Sequence, residues 1–236
     1  MNELSVVLLA SWLAGFAAFI GGMVAMIEWS EETEAKPEFI HGIVAFGGGI
    51  LLAAVSFALA PEGMSVLPPV VLAAAFVVGG LAFAGIDEYI STRSGSRAQF
   101  MAMMMDFVPE AISLGAVFGH DHRLGVLLAG FIGAQNLPEG FNAFREMLSS
   151  GNRPRKTLTT LAAISLAGPI AASLGYFLLQ DHKQLTGGIM SVAAGGILYL
   201  IFQDIAPQAA MKRRWLPATG AVLGFVVGMV GKQIIG

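Results

Sequence analysis

Two short segments hold the residues that could do chemistry: Asp106-Phe107-Val108-Pro109-Glu110-Ala111 and Gln135-Asn136-Leu137-Pro138-Glu139-Gly140. Each sets a carboxylate directly after a proline, with a second oxygen-bearing side chain four residues earlier. Residues four apart on a helix share a face. Asp106 therefore sides with Glu110 on one helix, and Gln135 with Glu139 on the next. Facing one another, they offer up to four oxygen ligands. Pro109 cannot donate to the carbonyl of Met105, nor Pro138 to that of Ala134. Carbonyls freed in this way need a cation or water lining a cavity. Both segments lie in the middle of long apolar stretches. Carboxylates at membrane depth are costly, so two of them in matched settings point to a cation site on a membrane pathway. The plainer alternative is a pair of buried structural acids kept neutral and bonded to a neighbouring helix.

The elements that must position these residues are membrane helices. The chain has 236 residues, is 56% hydrophobic and only 12% charged, and its mean hydropathy is +0.73. A soluble domain averages about a quarter charged. Glycine is abundant at 30 residues, as expected where small residues let membrane helices approach closely. Cysteine is absent, which excludes disulfides and thiolate ligands. Met1-Asn2-Glu3-Leu4 has no basic n-region, so a cleaved secretory leader is not expected. A span needs about 20 apolar residues, and the hydropathy pattern predicts eight, near 4–28, 37–61, 66–90, 98–119, 124–148, 156–180, 185–208 and 217–235. The connections are short, so residues 1–236 form one transmembrane domain.

Charge predicts the orientation. The first, third, fifth and seventh connections hold Lys36, Arg93, Arg97, Arg145, Arg153, Arg155, Lys156, Lys212, Arg213 and Arg214, ten basic residues against Arg123, Lys183 and Lys232 on the other side. By the positive-inside rule both termini face outside. An internal echo is also present. Gly49-Ile50-Leu51 leads to Ala60-Pro61 in span two, and Gly196-Ile197-Leu198 to Ala206-Pro207 in span seven. The two spans cross in opposite directions, the pattern of an inverted repeat; glycine-rich apolar helices that merely look alike are the alternative.

Other polar residues are secondary candidates. His120, Asp121 and His122, with Asp181 and His182, follow spans four and six on the outer side, where they form either a metal-collecting group or an ordinary solvated loop. Glu62 falls at the outer end of span two. Asp204 falls near the inner end of span seven, lining an exit or pairing with Arg213 or Arg214. Ser56 is a weak polar lining toward the central helices, and His41, at the inner start of span two, is either interfacial or an exit-side ligand. Glu28, Glu31, Glu32 and Glu34 near the inner surface form either a metal-attracting group or a solvated linker. The methionines between Met101 and Met105 suit adaptable packing better than Cu(I) binding. No phosphate loop, HExxH or nucleophile–base pair occurs, so an enzyme and a primary pump are not expected. The basic residues are short clusters at a membrane edge, which argues against nucleic acid as a partner.

The paired Pro-Glu motifs in spans four and five, the eight spans, Leu59-Ala60-Pro61-Glu62 and the stretch from Ala193 to Pro207 together resemble the ZIP family of divalent metal transporters, nearest its bacterial GufA-like branch. The resemblance covers nearly the whole chain. It implies an all-α ZIP-like bundle with an inverted repeat (helices 1–3 and 6–8) around helices 4 and 5, outside termini and a homodimer; the small size and short loops point to a bacterial inner membrane. It implies a transport site at Asp106, Glu110, Gln135, Asn136 and Glu139, with a divalent ion as substrate (Zn²⁺ first, then Cd²⁺, Mn²⁺ or Fe²⁺), no cofactor, and movement toward the cytoplasm by alternating access. The chain departs from the family pattern His-Asn-x-Pro-Glu-Gly, having Asp106 for the histidine and Phe107 for the asparagine. Gly168, before Pro169, stands where a glutamate is usual. One metal position rather than two is therefore expected. Without imidazole the ligand set is all oxygen, which weakens discrimination for zinc against harder ions. Two other readings stay open: a non-transporting metal-binding or sensing relative, and a carrier of protons or another small cation.

Overall fold

The computed structural model describes residues 2–27, 35–93, 98–211 and 215–235. The predicted linker acids and the Arg213 and Arg214 partners for Asp204 lie outside these residues. All regular structure among the described residues is helical. It forms eight rods: α1 (Glu3–Ile27), α2 (Lys36–Val66), α3 (Pro69–Arg93), α4 (Ala98–Phe118), α5 (His122–Ser149), α6 (Pro154–Leu179), α7 (Lys183–Ala209) and α8 (Leu216–Ile235). Among the described residues, six of them, α1–α3 and α6–α8, are long and apolar enough to cross a membrane. This is an all-α integral membrane protein. The two less apolar rods are those that carry the paired carboxylates.

Prolines set the irregularities. Pro61 and Pro207 offer no N–H, and in a regular helix their rings would strike the carbonyls of Phe57 and Gln203. Both helices respond in the same way. Each has a π-helical turn immediately before its Ala-Pro, at Val55–Leu59 and Ile201–Ile205. The N–H groups of Ala60 and Ala206 there donate five residues back, to the carbonyls of Val55 and Ile201. The extra residue widens the turn around the ring. In α6 the helix is broken at Ser165 and Leu166, four and three residues before Pro169. Pro109 and Pro138 stay inside continuous helices.

Lipid gives helices no hydrophobic reason to associate, so close backbone packing must hold them. Four helix pairs pack most closely: α1 with α5, α4 with α6, α2 with α8, and α3 with α7. Each is fastened by a reciprocal pair of glycines. A methyl on Gly21 would overlap the carbonyl of Leu137, and one on Gly140 the carbonyl of Ala18. The same holds for Gly115 and Gly175 between α4 and α6, for Gly49 and Gly224 between α2 and α8, and for Gly79 and Gly195 between α3 and α7. Further contacts of α1 with α6 and of α4 with α5 collect these pairs into two groups of four. One group is α1, α4, α5 and α6; the other is α2, α3, α7 and α8. The acids of α4 and α5 sit where the groups meet.

Candidate metal site between the two central helices

Asp106 and Glu139 are brought to one cavity. Its wall comes from α4 (Met103, Asp106), α5 (Pro138, Glu139, Asn142), α2 (Val44, Gly47, Gly48, Leu51) and α7 (Leu200, Asp204, Ile205, Gln208). Gly47 and Gly48 keep the α2 side open, since methyls there would meet Pro138 and Ile205. Glu110 is buried just deeper. Its Oε2 accepts a hydrogen bond of 2.6 Å from Gln135 Nε2, which ties α4 to α5 at the level of the two prolines. The other amide atom, Gln135 Oε1, is buried without a partner. A buried acceptor left bare costs about 1–3 kcal/mol, so this oxygen is suited to a positive ligand. Asp106 Oδ1 accepts from its neighbour's backbone, Phe107 N, at 2.8 Å.

Among the described residues, no three His, Cys, Asp or Glu side chains converge closely enough to hold a metal ion as they stand. The five predicted residues divide as follows. Asp106 and Glu139 face the cavity, and Glu110 and Gln135 are bonded to each other behind it. Asn136 is turned away, its Nδ2 donating to Ala14 O of α1 at 3.0 Å. The ring of Phe107 is buried against α1 and α6, where methyls on Gly15 and Gly168 would collide with it. The space left by the missing glutamate at 168 is thus filled by an aromatic ring rather than by donors.

Beyond the predicted set lies a polar stripe. Gln135, Glu139, Asn142, Glu146 and Ser149 recur at helical spacing along one face of α5, running from the acids toward the end that precedes Arg153. Asn142 Nδ2 donates to Glu146 Oε1 at 2.8 Å and to Gln208 Oε1 of α7 at 3.1 Å. Gln208 Nε2 in turn donates to Asp204 Oδ1. Two carboxylates are thereby linked through two amides where the cavity approaches the side bearing Arg145, Arg153, Arg155 and Lys156. Asp204 stands in the cavity wall. Asn142, Glu146 and Gln208 were not among the predicted candidates; the seven-residue step from Gln135 to Asn142 and from Glu139 to Glu146 was the signal for two of them.

On the opposite side the helices are shut. Leu59 of α2, with Ala111, Leu114 and Val117 of α4, is buried there. Glu62 Oε1 and His120 Nε2 lie 3.4 Å apart across the two helix groups, both largely buried. The remaining residues of the outer group have ordinary local roles. Asp121 caps α5 by accepting from Leu124 N at 2.9 Å, and His122 meets the Phe118 ring edge-on. Asp181 and His182 are exposed. Ser56 does not face the central helices: it is exposed, and its hydroxyl donates to Leu52 O at 2.7 Å. His41 Nδ1 lies 2.6 Å from Pro37 O at the end of α2 nearest Lys36.

No family model matches the chain. It is similar to two curated proteins named Zinc transporter ZupT. The one from Chlorobium phaeovibrioides is 24% identical, over 96% of this chain and 97% of its own length. The one from Chlorobium luteolum is 23% identical, with the same coverage. The similarity runs nearly the length of both sequences. That full-length similarity to two proteins named as zinc transporters agrees with the ZIP-family resemblance carried by the paired Pro-Glu motifs.

Proposed function

We propose that this protein carries a divalent metal cation, zinc first, across the membrane toward the cytoplasm. The observation that supports this most is the joint placement of Asp106 and Glu139 on one cavity, with the Glu110–Gln135 pair directly behind it. Loading requires two small rearrangements: Asp106 turns from the Phe107 backbone, and Glu110 turns from Gln135 Nε2, so that three carboxylates and the free Gln135 Oε1 surround the ion. Asn136 is an additional donor only if it leaves Ala14. An all-oxygen set of this kind accepts zinc but also suits Mn²⁺ and Fe²⁺. In this reading α4 and α5 span the membrane with the six apolar helices, giving eight spans. The cavity side, rich in Arg and Lys, is cytoplasmic, and both termini are outside. The bundle lies in a bacterial inner membrane as a homodimer.

The two proline-linked π turns and the four glycine-fastened pairs also favour an inverted repeat. Exchanging α1–α3 with α6–α8, and α4 with α5, turns the α1–α5 pair into α6–α4, and α2–α8 into α7–α3. Such a relation is the usual basis of alternating access. The second reading is a non-transporting relative that binds metal without moving it. It is favoured by the ring of Phe107 in place of donors and by the lack of convergence among the acids. Uptake of Zn²⁺, Cd²⁺, Mn²⁺ and Fe²⁺ into proteoliposomes decides between them. Saturable uptake that is lost in Glu110→Ala and Glu139→Ala is the expected result. Metal-dependent thermal stabilisation without uptake of any ion would leave the second reading standing. Flux without preference among metals would indicate a carrier of protons or another small cation.

A further inference from the structure

The residue after the proline in α2 and its counterpart in α7 grip the central helices at different heights. Glu62 follows Pro61 and meets His120, which stands eleven residues after Pro109. Gln208 follows Pro207 and meets Asn142, which stands four residues after Pro138. The same exchange that swaps α2 with α7 swaps α4 with α5, and Pro61 with Pro207. The two contacts are therefore one kind of joint in two settings. The joint on the shut side is set to the eleventh residue, and the joint on the cavity side to the fourth. When the halves trade conformations, the settings must trade too. Glu62 then lies against Ser113, four residues after Pro109, and Gln208 against Ser149, eleven after Pro138.

The residues at these positions fit that exchange. Asp106, Glu110 and Ser113 recur at helical spacing on α4, with His120 in the turn two residues past its end, and Gln135, Glu139, Asn142 and Ser149 recur on α5 at a constant offset of 29 in the numbering. Ser113 is buried on the shut side, where its hydroxyl donates to Pro109 O at 2.9 Å. Ser149 is exposed on the cavity side, donating to Glu146 O at 2.8 Å. Each serine now occupies itself with its own helix and lies in the environment that its exchange would reverse. The Glu62–His120 contact is itself weak: 3.4 Å is beyond a well-formed hydrogen bond, and His120 Nδ1 is buried with no partner. It closes the side without committing the protein to staying closed.

We propose that Glu62 is a two-position latch, held by His120 while the outer side is shut and by Ser113 when it is open, with Gln208 moving in the opposite sense from Asn142 to Ser149. The proposal rests on the carrier reading and on the repeat relation given with it. The step between settings is seven residues, about 10 Å along a helix.

Because the chain has no cysteine, paired cysteines report the latch directly. Glu62→Cys with His120→Cys, Glu62→Cys with Ser113→Cys, and Gln208→Cys with Ser149→Cys are each reconstituted in proteoliposomes, oxidised with dipyridyl disulfide, and read both by mass and by zinc uptake. A direct disulfide demands Cα atoms within about 7 Å. All three pairs are expected to form a disulfide, each stopping uptake, with uptake regained on reduction by a phosphine. If the Glu62–His120 pair links while neither serine pair does, in variants that still transport when reduced, the latch is wrong and the carrier reading survives. If the unsubstituted protein takes up no zinc, the carrier reading fails, and formation of the serine-pair disulfides still decides the latch by mass alone.

Discussion

At the scale of single residues, the central acids have separable jobs. Glu139 faces the cavity, whereas Glu110 is held behind it by Gln135. Replacing either glutamate with alanine is expected to lower uptake on the order of 100-fold, since loss of even a metal's outer partners costs 10–100-fold. Gln135→Leu removes both the hold on Glu110 and the bare Oε1. Initial-rate uptake should show a raised KM in this variant, with the fold intact by thermal melting. Asp106→His reinstates an imidazole at the cavity wall. Competition between Zn²⁺ and Mn²⁺ should then shift toward zinc, because imidazole suits zinc and carboxylate suits the harder ion. Metal binds carboxylates in their charged form, so protons compete. KM for zinc should rise as the loading side is acidified, by at most about tenfold per pH unit for each proton displaced. A KM indifferent to pH would mean that the acids do not hold the ion.

At the scale of helices, the glycine pairs and the prolines do complementary work: the first fix each pair, the second loosen particular turns. Gly140→Val sets branched carbon against the Ala18 carbonyl, and Gly175→Val against that of Ile112. Overpacking of this kind costs about 1–3 kcal/mol, so both variants should melt at clearly lower temperature in detergent, while Gly130→Val, which meets nothing within 4 Å, should not. Much of this scale was legible in the sequence. The span limits agree with the rods to within a few residues, because hydropathy over about 20 residues is a strong signal. The Ala-Pro echo falls on the two rods, α2 and α7, that each carry a π-helical turn just before it. The π turns themselves were not readable, since a proline can be met by a kink, a break or a widened turn, and α4, α6 and α2 each resolve it differently. The outward turn of Ser56 was missed for a related reason. It lies in the widened turn, where helical phase drawn from regular spacing no longer holds.

At the scale of the whole molecule, orientation and assembly rest on charge and family likeness. Labelling with a membrane-impermeant maleimide tests the first. Asn2→Cys and Gln233→Cys should react from outside intact cells, and Thr159→Cys should not; the reverse pattern would invert the transport direction. The candidate site was legible in its residue types but not in its present arrangement. The i to i+4 spacing put Asp106 beside Glu110 and Gln135 beside Glu139, as the structure has them. Spacing within one helix carries no information about contacts between helices, so the Gln135–Glu110 bond, the turn of Asn136 toward α1 and the seating of Phe107 between Gly15 and Gly168 appear only in three dimensions.

The α5 stripe continues in amides and a carboxylate down to Glu146, whereas the corresponding face of α4 passes from Ser113 through buried Val117 to His120 in the turn beyond the helix. In the proposed carrier a cation would therefore see unlike landscapes from the two compartments. From one it meets a graded negative slope, and from the other a low-dielectric wall guarded by a single Glu–His contact. Half-saturating concentrations should differ between the two faces, and maximal rates must differ in compensation. An uncoupled carrier can favour one direction kinetically, yet it still leaves the ion at equal electrochemical potential on both sides once flux has ceased.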